Sequence, residues 1–287
     1  MATILALKRR IQASQNVSKA TKAMQMISAS KLKRAQNAAL STRPYVERLT
    51  EMTQTVAKSI DLTTFSHPYL ETRMDSGRTL LIILAPDKGL CGGLITNLLK
   101  EFMQYNRQTP DTSYVILGKK VEGQVVRLAK NVVASFPFGT VTPTFDAVFP
   151  VVELINEYYL GKKVDSVKIL STHFTSFFSQ TPKVTPLLPV VLPETEETHE
   201  LPYLFEPSVE TLLPSLLKHY VEMSIYRLLI ESFVSEQASR MISMQNATDN
   251  ANDIIEDLRL EYNKTRQARI TSELLDITGA SAATAEA

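Results

Sequence analysis

The two ends of this chain lack the residues that stop helices. No glycine occurs before Gly77 and no proline before Pro44, and residues 215–278, 64 in a row, contain neither. With both breakers missing over such lengths, helix is the expected state. At 1.5 Å per residue the C-terminal stretch would run about 96 Å, and an N-terminal one from about Thr3 into the fifties roughly 80 Å. No core of ordinary size encloses rods of that length, so each must lie along a partner. Because both leave the same intervening segment, they are expected to run antiparallel to each other.

Other scarcities narrow the function classes. The single cysteine, Cys91, excludes an intrachain disulfide and suits a reducing compartment. No apolar run reaches the roughly 18 residues of a membrane span, and the N-terminus has no apolar signal core. The four histidines (His67, His173, His199, His219) are scattered without ligand spacing, so no metal is expected. A formal net charge of +1 gives no global pull toward nucleic acid.

What charge there is lies unevenly. Residues 1–46 hold nine Lys and Arg and no acid, while residues 231–261 hold seven acids against Arg240 and Arg259. Antiparallel pairing would set Lys8, Arg9 and Arg10 near residues 256–261, and residues 31–34 near Glu231 and Glu236. Exposed pairs of this kind contribute about 0–1 kcal/mol each and can set register without much stability. The same lysines could form a solvated face or meet an acidic partner, protein or nucleic acid. Seam positions such as Gln15, Ser18, Thr21, Gln237, Ala247 and Ala251 are small or polar, which predicts a slender, weakly held coiled coil. Pro44 is expected to bend the first arm.

The middle of the chain has another character. Residues 78–85 form a continuous apolar run, typical of a strand covered on both faces. The loop Asp87-Lys-Gly-Leu-Cys-Gly-Gly93 leads into a helix reaching about Arg107. Strands at 113–117, 131–136 and 166–174 alternate with helices at 119–130 and 144–160, and 177–190 returns as a proline-bearing antiparallel edge. The expected fold class is α plus α/β: a long antiparallel coiled coil, residues 1–60 and 208–287, carrying an inserted Rossmann-like α/β domain of mostly parallel strands, residues 77–190. Residues 191–207, proline-rich and acidic, read as an exposed linker.

The glycines of the first loop do not make a nucleotide site. Gly89, Gly92 and Gly93 miss the G-x-G-x-x-G spacing, the chain has no G-x-x-x-x-G-K-[ST], and the second strand leads into Gly118-Lys-Lys120. Cys91 has no base beside it in sequence and reads as a small turn residue. No cofactor and no catalytic constellation is expected.

Several stretches resemble the gamma subunit of F-type ATP synthases, of the bacterial type. They are Lys19-Ala-Thr-Lys-Ala-Met-Gln-Met-Ile-Ser-Ala-Ser-Lys-Leu-Lys-Arg-Ala35, Asp87–Gly93, Tyr203-Leu-Phe-Glu-Pro207, Ser235-Glu-Gln-Ala-Ser-Arg-Met241, Ala247-Thr-Asp-Asn250, Tyr262-Asn-Lys-Thr-Arg-Gln-Ala268 and Ile270-Thr-Ser-Glu-Leu274. They fall in the family's order over the whole length. The ending Asp276-Ile-Thr-Gly-Ala280 is one residue shorter than the family's usual Glu-Ile-Val-x-Gly-Ala.

The resemblance implies a non-catalytic rotor shaft inside a ring of three alpha and three beta subunits. Its foot would stand with the epsilon subunit on the membrane ring of c subunits, and it would sit peripherally on the cytoplasmic face of the plasma membrane. By resemblance, Lys8, Arg9, Arg10, Met24, Arg240, Gln267, Thr271 and Glu273 would contact the alpha/beta ring. Tyr203, Phe205 and Glu206 would contact epsilon and the c ring. Without the resemblance, a basic coiled coil bearing an α/β module would read as a nucleic-acid tether.

Overall fold

The computed structural model describes residues 4–58, 67–71, 73, 77–109, 111–129, 131–191, 205–206 and 208–285, with side chains as far as 275. Two compact units divide the chain, one of Met1–Ile27 with Met241–Ala287 and the other of Ser28–Arg240. Helix α1 (Ile4–Lys58) and helix α5 (Val209–Ala285) each contribute to both.

The second unit is built on a five-stranded sheet of β1 (Thr79–Leu84), β2 (Thr112–Leu117), β3 (Val132–Phe136), β4 (Ser166–Phe174) and β5 (Gln180–Leu188). The order is β3-β2-β1-β4-β5, parallel except for β5. Every residue of β1 is buried because the strand lies mid-sheet with both faces covered. Leu81 and Ile83 point to α2 (Leu94–Gln108) and α3 (Lys119–Leu128), packing with Leu98, Phe102 and Val125. Leu80, Ile82 and Leu84 join Val151, Ile155 and Tyr159 of α4 (Phe149–Leu160) on the opposite face, together with Leu213, Leu217 and Leu229 of α5. β5 carries Pro182 and Pro186 and pairs only with β4, as an edge strand with prolines must.

Three boundaries differ from the sequence reading. Residues 145–148 form a 3-10 turn before α4 begins, with Pro150 at the helix entry. Helix α5 starts five residues before Pro214 and runs on past Gly279. Pro214 lies near the helix start, where it removes a single backbone bond, and its neighbours Leu213 and Leu217 are fully buried. Packing outweighs the proline. Helix α1 likewise continues through Pro44. The expected linker falls mostly at 192–204, outside the described residues.

In the first unit, α1 turns a heptad edge toward α5. Leu7, Ile11, Ser14, Ser18, Thr21 and Gln25 recur at intervals of four and three, and so do the buried Met244, Thr248, Ala251, Ile255 and Leu258. A mean spacing of 3.5 is the repeat that winds two helices left-handedly. The Ser18 hydroxyl donates to Asn252 Oδ1 at 2.8 Å, and the Thr21 and Thr248 hydroxyls meet at 2.7 Å. These two pairs fix an antiparallel register that puts Lys8–Arg10 level with residues 259–261. Among the described residues, however, no ion pair joins those groups, and Lys8, Arg9 and Arg10 are exposed. Hydroxyls and small side chains set this register without the expected charge pairs.

Candidate functional site

In a doubly wound sheet, ligands bind outside the carboxyl ends of the strands where the winding reverses. Here the chain leaves β1 toward β2 on one side, and β4 enters on the other, so the crevice lies beyond β1 and β4. It is filled by α5 of the same chain. Ser235 Oγ donates to the Thr172 carbonyl at 3.0 Å, and Glu231 accepts from the Phe174 amide at 3.4 Å and pairs with His173 Nδ1. Thr172, His173 and Phe174 end β4.

Across the crevice, α5 grips the loop that follows β1. Ser239 Oγ donates to the Cys91 carbonyl at 2.7 Å, Arg240 Nε to the Gly89 carbonyl at 3.2 Å and Arg240 Nη2 to the Lys88 carbonyl at 3.0 Å. Glu236 holds the guanidinium from one turn earlier, its Oε1 2.7 Å from Arg240 Nη1. Burial pushes the Glu236 carboxyl above its usual range against the opposing pull of Arg240. Its Oε2 is buried with no hydrogen-bond partner. The Cys91 side chain is buried, and burial raises its thiol likewise.

A second anchor closes the other end of the loop. The Asp87 carboxylate accepts the amides of Lys119 at 3.0 Å, Phe138 at 3.2 Å and Gly139 at 2.8 Å. It therefore ties together the segments that follow β1, β2 and β3, and caps α3 with a negative charge where a helix N-terminus favours one. Gly118 makes this convergence possible. Its φ is +119°, and a Cβ there would stand 1.9 Å from the Ala85 carbonyl oxygen. Within the loop Leu90 takes a left-handed conformation (φ 63°) with its side chain 60% exposed, and Gly92 does the same (φ 57°).

The positions named from the sequence are dispersed. Arg240 is half-buried and spent on the loop. Met24 is exposed on α1. Gln267, Thr271 and Glu273 are exposed on α5, where Glu273 pairs with Arg269 at 2.8 Å and Thr271 bonds the Gln267 carbonyl at 3.0 Å. From Arg266 to Leu275 every residue is exposed. Phe205 packs partly against the core and Glu206 is exposed, whereas Tyr203 lies outside the described residues. Lys31, expected near Glu236, does bear on it electrostatically, but its Nζ donates to the Thr140 carbonyl at 2.6 Å. Sequence reasoning missed Asp87 and Ser239, since an acid and a serine next to Gly-rich and helical runs gave no local sign of contacts made over 32 to 148 residues; it also missed Glu236, whose i,i+4 spacing to Arg240 was a local sign. Among the described residues no group of three or more potential ligands could hold a metal.

The geometry defines an α/β module whose ligand crevice is occupied from within, carried between two terminal helices that share a thin heptad seam. The profile of the family described as ATP synthase matches residues 3–284. The ATP synthase gamma chain of Dehalococcoides mccartyi (strain CBDB1) is 39% identical over 286 residues, covering 99% of this chain and all of the relative. That of Legionella pneumophila (strain Corby) is 32% identical over 292 residues, covering 99% and 100%. The fold is shared with a chain of the Euglena gracilis mitochondrial ATP synthase (OSCP/F1/c-ring, rotational state 3) at a TM-score of 0.67 and 18% identity, over 98% of this chain and 94% of that one. A chain from the Tetrahymena thermophila mitochondrial ATP synthase central stalk and c-ring gives 0.59 and 24%, over 79% and 98%. The chain belongs to the ATP synthase gamma-chain family.

Proposed function

We propose that this chain turns as the central rotor shaft of an F-type ATP synthase, coupling ion-driven rotation of a c ring to the cycling of catalytic beta subunits while doing no chemistry itself. The observation that carries the reading is family membership over the full length, with relatives named ATP synthase gamma chain. The structure adds a physical reason for the chemical silence: the crevice that would take a nucleotide is filled by α5.

The seam of α1 and α5 would stand within three alpha and three beta subunits. Lys8, Arg9, Arg10, Met24, Gln267, Thr271 and Glu273 would meet the ring, and Arg240 would act there through the loop it holds. The module of residues 77–190 would form the foot, with Tyr203, Phe205 and Glu206 toward epsilon and the c ring and residues 191–207 as linker. No helix among the described residues is long and apolar enough to cross a membrane, which fits a peripheral subunit; the cytoplasmic face is part of the proposal and rests on the family resemblance. Contacts that change with angle must each be weak, about 0.5–1 kcal/mol where exposed, or the shaft would stall.

The test is a reversible disulfide engineered between the module and a beta subunit in the assembled complex. ATP hydrolysis should stop on oxidation and return on reduction. Full activity with the bond verified intact would overturn the shaft reading.

A further inference from the structure

Loop 87–93 is held from two sides that differ in kind. From the side of the sheet and α2, Asp87 fixes its first residue, and the Leu94 and Asn97 amides donate to the Cys91 and Gly93 carbonyls at 3.3 and 2.9 Å. From the helix side, three carbonyls of the loop proper, those of Lys88, Gly89 and Cys91, all point at one turn of α5 and receive its donors. That turn is the last of its unit, which ends at Arg240. The donors are themselves fixed. Glu236 holds Arg240 by its Oε1, and both side chains are largely out of solvent, at 5% and 13% exposure.

The loop between these anchors is strained and outward-facing. Leu90 is a bulky side-chain residue in the left-handed region, a conformation that persists only where the surroundings impose it. Its side chain is exposed, so its own burial does not supply that constraint. Gly89 is not the reason either, because a Cβ there would meet nothing nearer than Lys120 Cε at 3.7 Å. The α2 amides reach the loop only beyond Leu90, at the Cys91 and Gly93 carbonyls, so the backbone that leads into Leu90 is held by the α5 donors to Lys88 and Gly89.

We propose that Ser239 and Arg240 are positioning residues that lock loop 87–93 to helix α5, so that the helix, and not the sheet, presents the exposed Leu90 and Lys88. Glu236 aims the guanidinium. The consequence is mechanical: displacement of this turn of α5 carries the loop with it, and loss of its donors frees the loop while the sheet stays intact. The proposal concerns contacts inside the chain and stands independently of the rotor reading.

Cys91 reports on the clamp without an introduced cysteine, since it is the only thiol of the chain and is 1% exposed. The experiment is the rate at which the folded full-length chain reacts with a maleimide at about pH 8, where only loop opening exposes the thiol. Arg240→Ala should speed labelling by roughly tenfold or more, and Ser239→Ala, which deletes one hydroxyl, by a smaller factor in the same direction. Arg240→Lys keeps the charge but not the fork, and should label faster than the native chain. Thermal melts by circular dichroism show which variants are folded. If Arg240→Ala does not fold, Ser239→Ala and Arg240→Lys decide the matter alone. Native labelling rates in the folded variants would overturn the proposal, and exposure of Cys91 by Asp87→Asn would then return the loop to the sheet.

Discussion

The hydroxyl oxygens of Thr21 and Thr248 lie 2.7 Å apart, although the two residues are separated by 227 positions in the chain. Each also lies within reach of carbonyls of its own helix, Thr21 of Val17 and Ser18 and Thr248 of Met244, so one hydroxyl donates across the seam while the other donates locally. The pair thus sits at a seam position where a coiled coil built for stability would place Leu or Ile. It marks register at small energetic gain.

Replacing either threonine by valine should cost no more than about 1 kcal/mol, because the hydroxyl left behind keeps its local carbonyl. The double variant Thr21→Val with Thr248→Val should be neutral or more stable, since both partners leave together and the shape is retained. Urea midpoints of the full chain measure this. A double variant that loses about as much as each single, with that loss well above about 1 kcal/mol, would show the hydroxyl pair to be a main stabilising contact.

Asp87→Ala should destabilise the α/β module by about 1–3 kcal/mol, leaving three amides without their charged acceptor. Formate or acetate at high concentration should recover part of the loss in this variant and none in the native chain. No recovery, together with a native-like melting temperature, would show that the three amides do not depend on the carboxylate.

His67 sets a pH dependence whose sign can be fixed. Burial lowers its pKa from the ordinary 6.5, and the Tyr69 amide donates to its Nδ1, which must be unprotonated to accept. A base with a depressed folded-state pKa contributes stability that is present above its unfolded value and lost as pH falls below it. Stability should therefore decline below about pH 6.5, and His67→Asn, whose side-chain oxygen can accept from Tyr69 without titrating, should flatten that decline. Denaturation midpoints between about pH 5 and 8 for the two proteins would show it. Parallel curves would assign the decline to other groups.

Arg9→Ala should leave the synthase complex assembled while weakening the link between hydrolysis and ion pumping. The side chain is exposed and has no ion pair among the described residues, so its loss disturbs no internal contact. Proton pumping by inverted vesicles, set against ATPase activity in the same preparation, gives the ratio. Failure to assemble would mean that Arg9 belongs to a permanent interface.

The elements legible in the sequence were those written in local pattern. The apolar run of β1, the strand-helix alternation and the breaker-free arms each follow from a few adjacent residues. Breakers misled at Pro214 and Gly279, because burial of Leu213 and Leu217 outweighs one missing amide bond. The charge pairing expected of Lys8–Arg10 did not form, since long solvated side chains gain little from meeting. Around the crevice the sequence showed glycines and a cysteine but not their fasteners. Ser239 and Arg240 lie 148 to 152 residues from the carbonyls they bind, and no periodicity spans that distance.

The occupant of the crevice is covalently part of the chain, and this removes it from mass action. A sheet that closes on a dissolved ligand has an occupancy that follows the ligand's concentration, and its rigidity follows in turn. A tethered helix meets its site at an effective concentration fixed by the chain and unaffected by dilution. The stiffness of this module is therefore the same in a starved cell and a replete one, so the part does not soften as the metabolite pool around it changes.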